Sequence, residues 1–278
     1  MARELKYRLK TGKSGEEQLD NLDKMFGMAS REFLYQIGLQ KGMQIADVGC
    51  GVGNLSLWLA EQVGSEGHVF AIDNSQEQLN IAKDRAMQRG VKNISFHLAD
   101  VHDLSEFNGS FDICYCRWLL IHVSEPESAV SAMAKTVKEG GILACEVGDM
   151  RMNDYYPSFH AYKRFLEKTL QMQDELETDS SICFNILKIF HELADFNTPH
   201  IQLKQPVITD PTGLQSFPKQ VAVLLASSSQ ALIEKNIMTA VEIEQLKTEI
   251  LSHQASPGEW AILSRMTQIF AKSTKKSP

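Results

Sequence analysis

A glycine-rich turn between an apolar segment and an amphipathic segment constrains the fold of this chain more than any other feature. Residues 43–48 are mostly apolar and are predicted to form a buried strand of a parallel sheet. Gly49, Gly51 and Gly53 follow, where no Cβ obstructs a bound ligand. From Asn54 the apolar residues recur with helical spacing. Strand, glycine turn and helix form the first unit of a nucleotide-binding α/β domain, in which the helix N-terminus faces the ligand.

The glycine spacing and the nearby charges indicate which nucleotide fits. A dinucleotide fingerprint is G-x-G-x-x-G, whereas this turn is G-x-G-x-G and Asn54 stands where the third fingerprint glycine would be. Asp47 places a carboxylate at the mouth of the turn, and no Lys or Arg occurs between residues 42 and 82. A cofactor with a positive end and no phosphate suits this loop better than a pyrophosphate. S-adenosylmethionine (SAM) meets that description, because it carries a sulfonium and an ammonium group.

The stretch Asp47-Val-Gly-Cys-Gly-Val-Gly resembles the first motif of class I SAM-dependent methyltransferases. The resemblance implies an α/β fold with a doubly wound, mostly parallel, seven-stranded Rossmann-like sheet. Residues 40–147 carry the cofactor motifs. The whole chain looks most like the small-molecule branch, and it is similar to quinone-biosynthesis C-methyltransferases and to related uncharacterised bacterial methyltransferases.

Two further acids close the next predicted strands. Asp73 ends the strand 68–73, where an acid can accept both ribose hydroxyls, although NAD enzymes share this feature. Asp100 ends the strand 94–100, where it could accept from an adenine amino group while Val101 donates its backbone N–H. The predicted cofactor-binding residues are Asp47, Gly49, Cys50, Gly51, Gly53, Asp73, Asn74, Asp100, Val101, Cys116 and Arg117.

The segment after the fourth predicted strand, 111–116, carries the candidate catalytic residues. Its position at the carboxyl edge of the sheet is where open α/β folds bind ligands. His122 is the leading candidate for a base or a substrate-orienting group, because histidine can accept a proton near neutral pH; the alternative is a histidine that only bonds the backbone. Asp149 is the second candidate for the base. Arg117 could hold a substrate carboxylate or a neighbouring acid.

Beyond the fifth predicted strand, 142–147, the chain exceeds a minimal domain. Trp118 and the aromatic residues Tyr155, Tyr156 and Phe159 are predicted to bind substrate, with core packing of an added helix as the alternative for the last three. Helices are predicted over 215–233 and 239–253, and the last two sheet strands over 202–207 and 266–272. The predicted division is 1–40, N-terminal helices over the cofactor; 41–148, SAM-binding core; 149–178 and 209–258, helical cap; 179–208 and 259–278, remaining core elements.

The N-terminal segment is predicted to hold two helices, one begun by a Ser14 cap and one over Arg31–Ile37. Tyr7, just before them, is a candidate for a cofactor contact.

The composition of the chain indicates which classes of binding partner and which cell compartment to expect. The net charge is −7 and no basic block precedes the short Lys272–Lys276 tail, so a nucleic-acid partner is not expected. No apolar run is long enough for a membrane helix, and the first residues lack the apolar core of a signal peptide. The cysteine count is odd, at 5, and most cysteines fall near predicted strands, which is typical of a reducing compartment. We therefore expect a cytoplasmic protein with a small-molecule partner and leave its oligomeric state open.

The predicted function is SAM-dependent methyl transfer to a small-molecule acceptor enclosed under the helical cap, with no metal. Arsenite methylation is one alternative, because thiols bind As(III). Cys114 and Cys116 are interpreted as pointing to opposite faces of their strand, which would keep them from binding one arsenic atom together. A non-catalytic SAM-binding sensor or scaffold is the other alternative; it would keep Asp47, Asp73 and Asp100 but lack a substrate cavity.

Overall fold

The structure, a computed structural model, describes residues 12–175 and 182–275, with side chains from Gly15 onward. Tyr7 and the side chain of Ser14 lie outside the described part. Within these ranges the chain forms eight α-helices: α1 (Gly12–Gln36), α2 (Asn54–Val63), α3 (Gln76–Arg89), α4 (Pro126–Thr136), α5 (His160–Glu175), α6 (Ile182–His191), α7 (Pro211–Glu234) and α8 (Ala240–Ser252). None of them is long and apolar enough to cross a membrane.

The same residues contribute ten strands to two sheets. They are β1 (Gln44–Val48), β2 (His68–Asp73), β3 (Ile94–Leu98), β4 (Phe111–Arg117), β5 (Val137–Asp149), β6 (Asp154–Tyr156), β7 (His200–Lys204), β8 (Val207–Ile208), β9 (Trp260–Ile262) and β10 (Arg265–Lys272).

The larger sheet has seven strands in the order β3-β2-β1-β4-β5-β10-β7. The pairs β1–β2, β1–β4, β2–β3 and β4–β5 are parallel. Two hydrogen bonds show that β10 runs antiparallel to β5. The Ser273 N–H donates to the Gly141 carbonyl near one end, and the Gln268 side chain donates to the Glu146 carboxylate farther along. The predicted doubly wound, mostly parallel sheet is confirmed. Its strand order reverses between β1 and β4, the switch point at which such sheets bind ligands.

Two apolar clusters pack around the central strands. Cys114 and Cys116 both belong to one cluster, together with Cys145, whereas Tyr115 belongs to the other. The expectation that Cys114 and Cys116 point to opposite faces is therefore wrong. Successive residues of a strand alternate between faces, so residues two apart share one. All three thiols are fully buried in the core.

Several boundaries differ from the sequence prediction. The predicted strand 202–207 is β7 (His200–Lys204), and Val207 belongs to β8 of the smaller sheet. The predicted pair of N-terminal helices is one continuous helix, α1. It passes through Gly27, whose missing Cβ leaves room for the neighbouring Asp23 and Arg31 side chains on the adjacent turns. β5 begins at Val137 rather than at residue 142, because Val137 already pairs with Phe111.

The chain divides into two compact units. The first contains the described residues up to 147, those of 182–202 and those from 267 onward; the second contains 148–175 and 203–266. The second unit holds α5, α7 and α8 together with an antiparallel sheet ordered β6-β9-β8, which the sequence does not predict. A reciprocal capping box between Thr239 and Glu242 begins α8, as predicted.

Candidate active site

The glycine turn lies at the carboxyl end of β1. Gly49, Gly51 and Gly53 all have positive φ, at 75°, 54° and 78°, a region that side-chain-bearing residues rarely adopt. The backbone N–H groups of Gly49 and Cys50 both donate to the Ile72 carbonyl of β2. A Cβ on Gly51 would lie 2.8 Å from the end of the Leu19 side chain of α1, which would have to shift. Sequence and structure agree on this element.

Asp73, at the carboxyl end of β2, is held against the same turn. Its Oδ2 accepts from the Gly51 N–H at 2.8 Å, and its Oδ1 accepts from the Ser75 N–H at 2.9 Å. Burial raises the pKa of Asp73, while the backbone N–H groups of Gly51, Ser75 and Asn74 lower it. A carboxylate has about four acceptor positions. The hydrogen bonds from the Gly51 and Ser75 N–H groups therefore leave acceptor capacity for a pair of neighbouring hydroxyls. Asn74 lies exposed beside them.

Asp47 is the acid nearest the start of the turn. Its carboxylate is buried and accepts a hydrogen bond from the Ser56 hydroxyl of α2 at 2.5 Å. Burial raises the pKa of Asp47 to about 6, and the Ser56 hydrogen bond opposes the rise. The same burial, together with Asp73 and Asp47, raises the pKa of the Cys50 thiol. This end of the turn therefore favours a positive ligand group over a negative one.

Asp100 follows β3 and is part of a local turn. Its Oδ1 accepts from both the backbone N–H and the Nδ1 of His102, at 2.9 and 2.7 Å. His102 Nδ1 thus faces the carboxylate, and the buried Nε2 has no hydrogen-bond partner in the described part of the chain. Val101, between the two, is buried. His102 was not predicted, although its place two residues after a strand-end acid could have indicated it.

The side chain of Arg117, the last residue of β4, forms hydrogen bonds with other residues of this chain. Its guanidinium donates to Asp23 at 3.0 Å and to Ser30 at 3.2 Å, both on α1. Ser30 in turn donates to the buried Glu146 of β5 at 2.7 Å. Burial lowers the pKa of Arg117, but Tyr115, Asp23 and Glu146 raise it more, and the net shift is upward. Of the two predicted roles, the structure shows the contact with a neighbouring acid.

Trp118 follows at the carboxyl edge of β4, and its backbone is strained. Its φ of 60° lies in the left-handed region, which is unusual for a bulky residue. Its backbone N–H donates to the Glu146 carbonyl, and its ring packs edge-on against Phe26 of α1 at 5.4 Å between centroids. The next residue, Leu119, lies 3.0 Å from where a Cβ of Gly49 would be. The segment after β4 therefore touches the glycine turn.

The two candidate bases lie in different settings. His122 is half-buried in the turn after β4, and its backbone N–H donates to the Leu119 carbonyl. Asp149, at the end of β5, accepts from Arg151 at 2.8 Å and from Arg265 at 3.4 Å. Both Asp149 oxygens thus already accept hydrogen bonds from guanidinium groups. Cys116, which precedes Arg117, pairs with Val48 and Cys145 in the sheet.

Three of the four aromatic residues predicted to bind substrate, all except Trp118, belong to the second unit. Tyr155 is buried on β6, where its hydroxyl donates to Glu259 at 2.5 Å and lies 3.1 Å from His253 Nε2. Phe159 stacks on His253 at 3.9 Å between centroids. Tyr156 is 63% exposed. Core packing, the alternative considered for these residues, describes Tyr155 and Phe159 in this structure.

A polar cluster beside the turn was not predicted from the sequence. Asn54, the first residue of α2, donates to Asp20 at 2.8 Å and accepts from Arg85 of α3 at 2.7 Å. The sequence shows no cation between residues 42 and 82, yet folding brings Arg85 next to the turn. Its guanidinium is paired with Asp20 and Glu16 of α1. No local pattern could have revealed a pairing across 65 residues.

Comparison with known proteins identifies the family. A family described as "Methyltransferase domain" matches residues 39–203. The chain is similar to the methyltransferase GfsG of Streptomyces halstedii, 34% identical over 120 residues, 42% of each chain. It is also similar to the demethylmenaquinone methyltransferase of Listeria welshimeri, 27% identical over 137 residues, 49% of this chain and 58% of that protein. The matched region thus spans about half the length of these relatives.

Solved structures share the fold. The YcgJ protein of Bacillus subtilis aligns with a TM-score of 0.57 and 14% identity, covering 90% of this chain and 100% of that one. A SAM-dependent methyltransferase of Aquifex aeolicus aligns with a TM-score of 0.51 and 19% identity, covering 71% and 92%. The resemblance seen in the sequence, including that to quinone-biosynthesis enzymes, is confirmed by these matches. Because the family match covers more than half of the chain, this protein belongs to the family defined by the methyltransferase domain.

Proposed function

We propose that this chain binds SAM at the carboxyl ends of β1, β2, β3 and β4 and transfers its methyl group to a small-molecule acceptor. The observation that carries the proposal is the joint geometry of the glycine turn and Asp73. The carboxylate is fixed by the Gly51 and Ser75 N–H groups, and its remaining acceptor capacity suits the two hydroxyls of a ribose.

The other residues around the turn fit the same cofactor. Asp100 and Val101 would contact the adenine, and the buried Asp47 favours the positive end of SAM. A pyrophosphate would meet the acids Asp47 and Asp73, because the nearby Arg85 is already paired with two carboxylates. The charges around the turn therefore support SAM over NAD.

When bound, SAM supplies a methyl group activated by its sulfonium. Transfer of that methyl group to the acceptor would leave S-adenosylhomocysteine. The chain must align the acceptor and exclude water. We assign alignment to Trp118 at the edge of β4, and we assign removal of any acceptor proton to His122, with Asp149 as the second candidate.

We further propose that the acceptor is enclosed beneath the second unit, which serves as the cap. The support is connectivity: the chain enters this unit directly after β5 and again after β7, so two separate segments build one compact body. Limited proteolysis with and without SAM tests the closure. Rapid cleavage in the second unit that no ligand changes would contradict it.

Titration calorimetry with SAM and with NAD tests the cofactor. We expect SAM to bind and NAD not to bind; the reverse would overturn the proposal. Turnover is tested by screening fractionated small-molecule extracts for release of S-adenosylhomocysteine. Binding of SAM without release in any fraction would favour the sensor or scaffold alternative. Arsenite methylation is not favoured, because Cys114, Cys116 and Cys145 are fully buried and closed to an arsenic ion.

A further inference from the structure

The two halves of α1 are held to the first unit by different forces. Beyond Gly27 the helix is anchored by fully buried apolar side chains, among them Phe33 and Leu34. In the first turns of α1, Glu16 and Asp20 accept from Arg85 and are both about one-third exposed, whereas Asp23, farther along, pairs with the buried Arg117. Partly exposed ion pairs separate at a lower cost than buried apolar surfaces or buried ion pairs do. Residues 12–20 are therefore the part of α1 that can release first.

This part of α1 lies across the glycine turn. The Leu19 side chain contacts the place where a Cβ of Gly51 would be, at 2.8 Å. Asn54 donates to the Leu19 carbonyl at 3.4 Å and to Asp20 at 2.8 Å. One residue of the turn and the first residue of α2 are therefore both covered by one short stretch of helix.

Arg85 closes this arrangement from the opposite side. Its Nη1 donates to Asp20 at 2.8 Å and to Asn54 at 2.7 Å, and its Nη2 donates to Asp20 at 2.9 Å and to Glu16 at 2.7 Å. The two-pronged bond to Asp20 is the strong form of an arginine–carboxylate contact. One guanidinium thereby joins α1, the start of α2 and α3.

We propose that residues 12–20 of α1 form a gate over the cofactor turn and that Arg85 is its latch. The inference rests on the proposed function, because the gate controls entry and exit of SAM. Arg85 is a positioning residue here: it acts through Glu16, Asp20 and Asn54 and is not assigned a contact with SAM.

A latch leaves a kinetic signature that a binding residue does not. If Arg85 closes the gate with and without SAM, its removal raises the association and dissociation rates together and leaves Kd nearly unchanged. If Arg85 instead held SAM or shaped the turn, its removal would raise the dissociation rate alone and weaken Kd by the same factor. The ratio of the two rates therefore separates the mechanisms.

The test is stopped-flow measurement of SAM binding to the full chain, comparing Arg85→Met with wild type. We expect both rates to rise about tenfold, with Kd changed less than about threefold. In wild type both rates should rise with added NaCl, and this dependence should be much smaller in the variant. Arg164→Met is the matched control, because Arg164 forms an exposed pair with Glu249 in the second unit; its rates should equal those of wild type.

Hydrogen exchange of the cofactor-free chain gives a second readout that needs no ligand. Arg85→Met and Asp20→Asn should each speed exchange in residues 12–20 and leave 28–36 unchanged. Unchanged exchange in 12–20, or a weaker Kd at an unchanged association rate, would overturn the gate. Wild type that fails to bind SAM while the exchange result holds would overturn the proposed function and the assignment of SAM as the gated ligand.

Discussion

The Ser56 hydroxyl of α2 donates a 2.5 Å hydrogen bond back to the buried carboxylate of Asp47, on the strand that precedes the glycine turn. The bond spans the turn and ties its two ends together. Burial raises the pKa of Asp47 to about 6, although the hydrogen bond from Ser56 opposes the rise. Folding therefore favours the protonated acid, and ionisation near neutral pH costs stability.

Asp47→Asn should change how stability depends on pH. In wild type, the contribution of protonated Asp47 to the free energy of unfolding is fully present below the pKa of Asp47 in the unfolded chain. It is lost as the pH rises towards 6, a loss of about 3 kcal/mol. The amide cannot ionise, so the free energy of unfolding of the variant, relative to wild type, should rise between about pH 4 and 7. Urea unfolding at several pH values measures this difference. A difference that stays constant with pH would contradict the raised pKa.

Asp73→Ala should weaken SAM binding. It removes the acceptor of the Gly51 and Ser75 N–H groups as well as the proposed ribose acceptor, and hydrogen bonds to charged groups contribute about 1–3 kcal/mol. Calorimetry should show Kd raised by roughly 10- to 100-fold. Asp112→Ala is the control, because Asp112 accepts from Gln44 at the opposite end of β1. An equal rise in Kd for SAM in both variants would contradict the proposed contact between Asp73 and the ribose.

Arg117→Met should destabilise the fold. It leaves the buried Glu146 without its nearby cation and breaks the bond to Asp23, and losing one partner of a buried ion pair costs about 3–5 kcal/mol. The exposed Arg164→Met should cost about 1 kcal/mol or less. Denaturant unfolding compares the two. A loss at Arg117 as small as that at Arg164 would show that the buried network contributes little.

Tyr155→Phe and Tyr156→Phe form a matched pair on β6. The first removes the hydroxyl that donates to Glu259 and should lower the free energy of unfolding by about 1–3 kcal/mol. The second alters an exposed ring and should change it by less than about 0.5 kcal/mol. Thermal unfolding of both variants measures the contrast. If the two changes were equal, the Tyr155 cluster would not be a stabilising element of the second unit.

His122→Ala should lower kcat by roughly 10²- to 10⁴-fold if His122 removes the acceptor's proton, while SAM affinity stays near that of wild type. Single-turnover assays with an acceptor found in the screen, together with SAM calorimetry, measure the two quantities separately. Normal turnover with a shifted melting temperature would make His122 a structural residue.

Local signals account for the parts of the structure that the sequence predicts well. β2 has the predicted bounds, His68–Asp73, because an apolar run ends at an acid and is followed by the Ser75 cap of α3. Helix α3 ends at Gly90, whose φ of 68° is the left-handed cap expected there. The glycine turn and Asp73 come together because their strands are parallel neighbours.

Distant pairings account for most of what the sequence does not predict. β6, β8 and β9 have three, two and three residues, too few to show a period of two. They exist because they pair with one another across about a hundred residues, as Tyr155 does with Ala261. The partners of Arg117 and Arg85 could not be predicted for the same reason. These partners lie on α1, and nothing beside the two arginines in the sequence identifies them.

The position of β10 between β5 and β7 has a consequence for how the chain is made. β10 is translated after every other described strand, yet it is the neighbour that β5 and β7 both require. Until the ribosome has delivered residues 265–272, β5 presents an open edge and β7 has no place in the sheet. Such an edge invites pairing with other chains. Until β10 emerges, the nascent chain therefore carries an open edge at β5 through which it can pair with other chains.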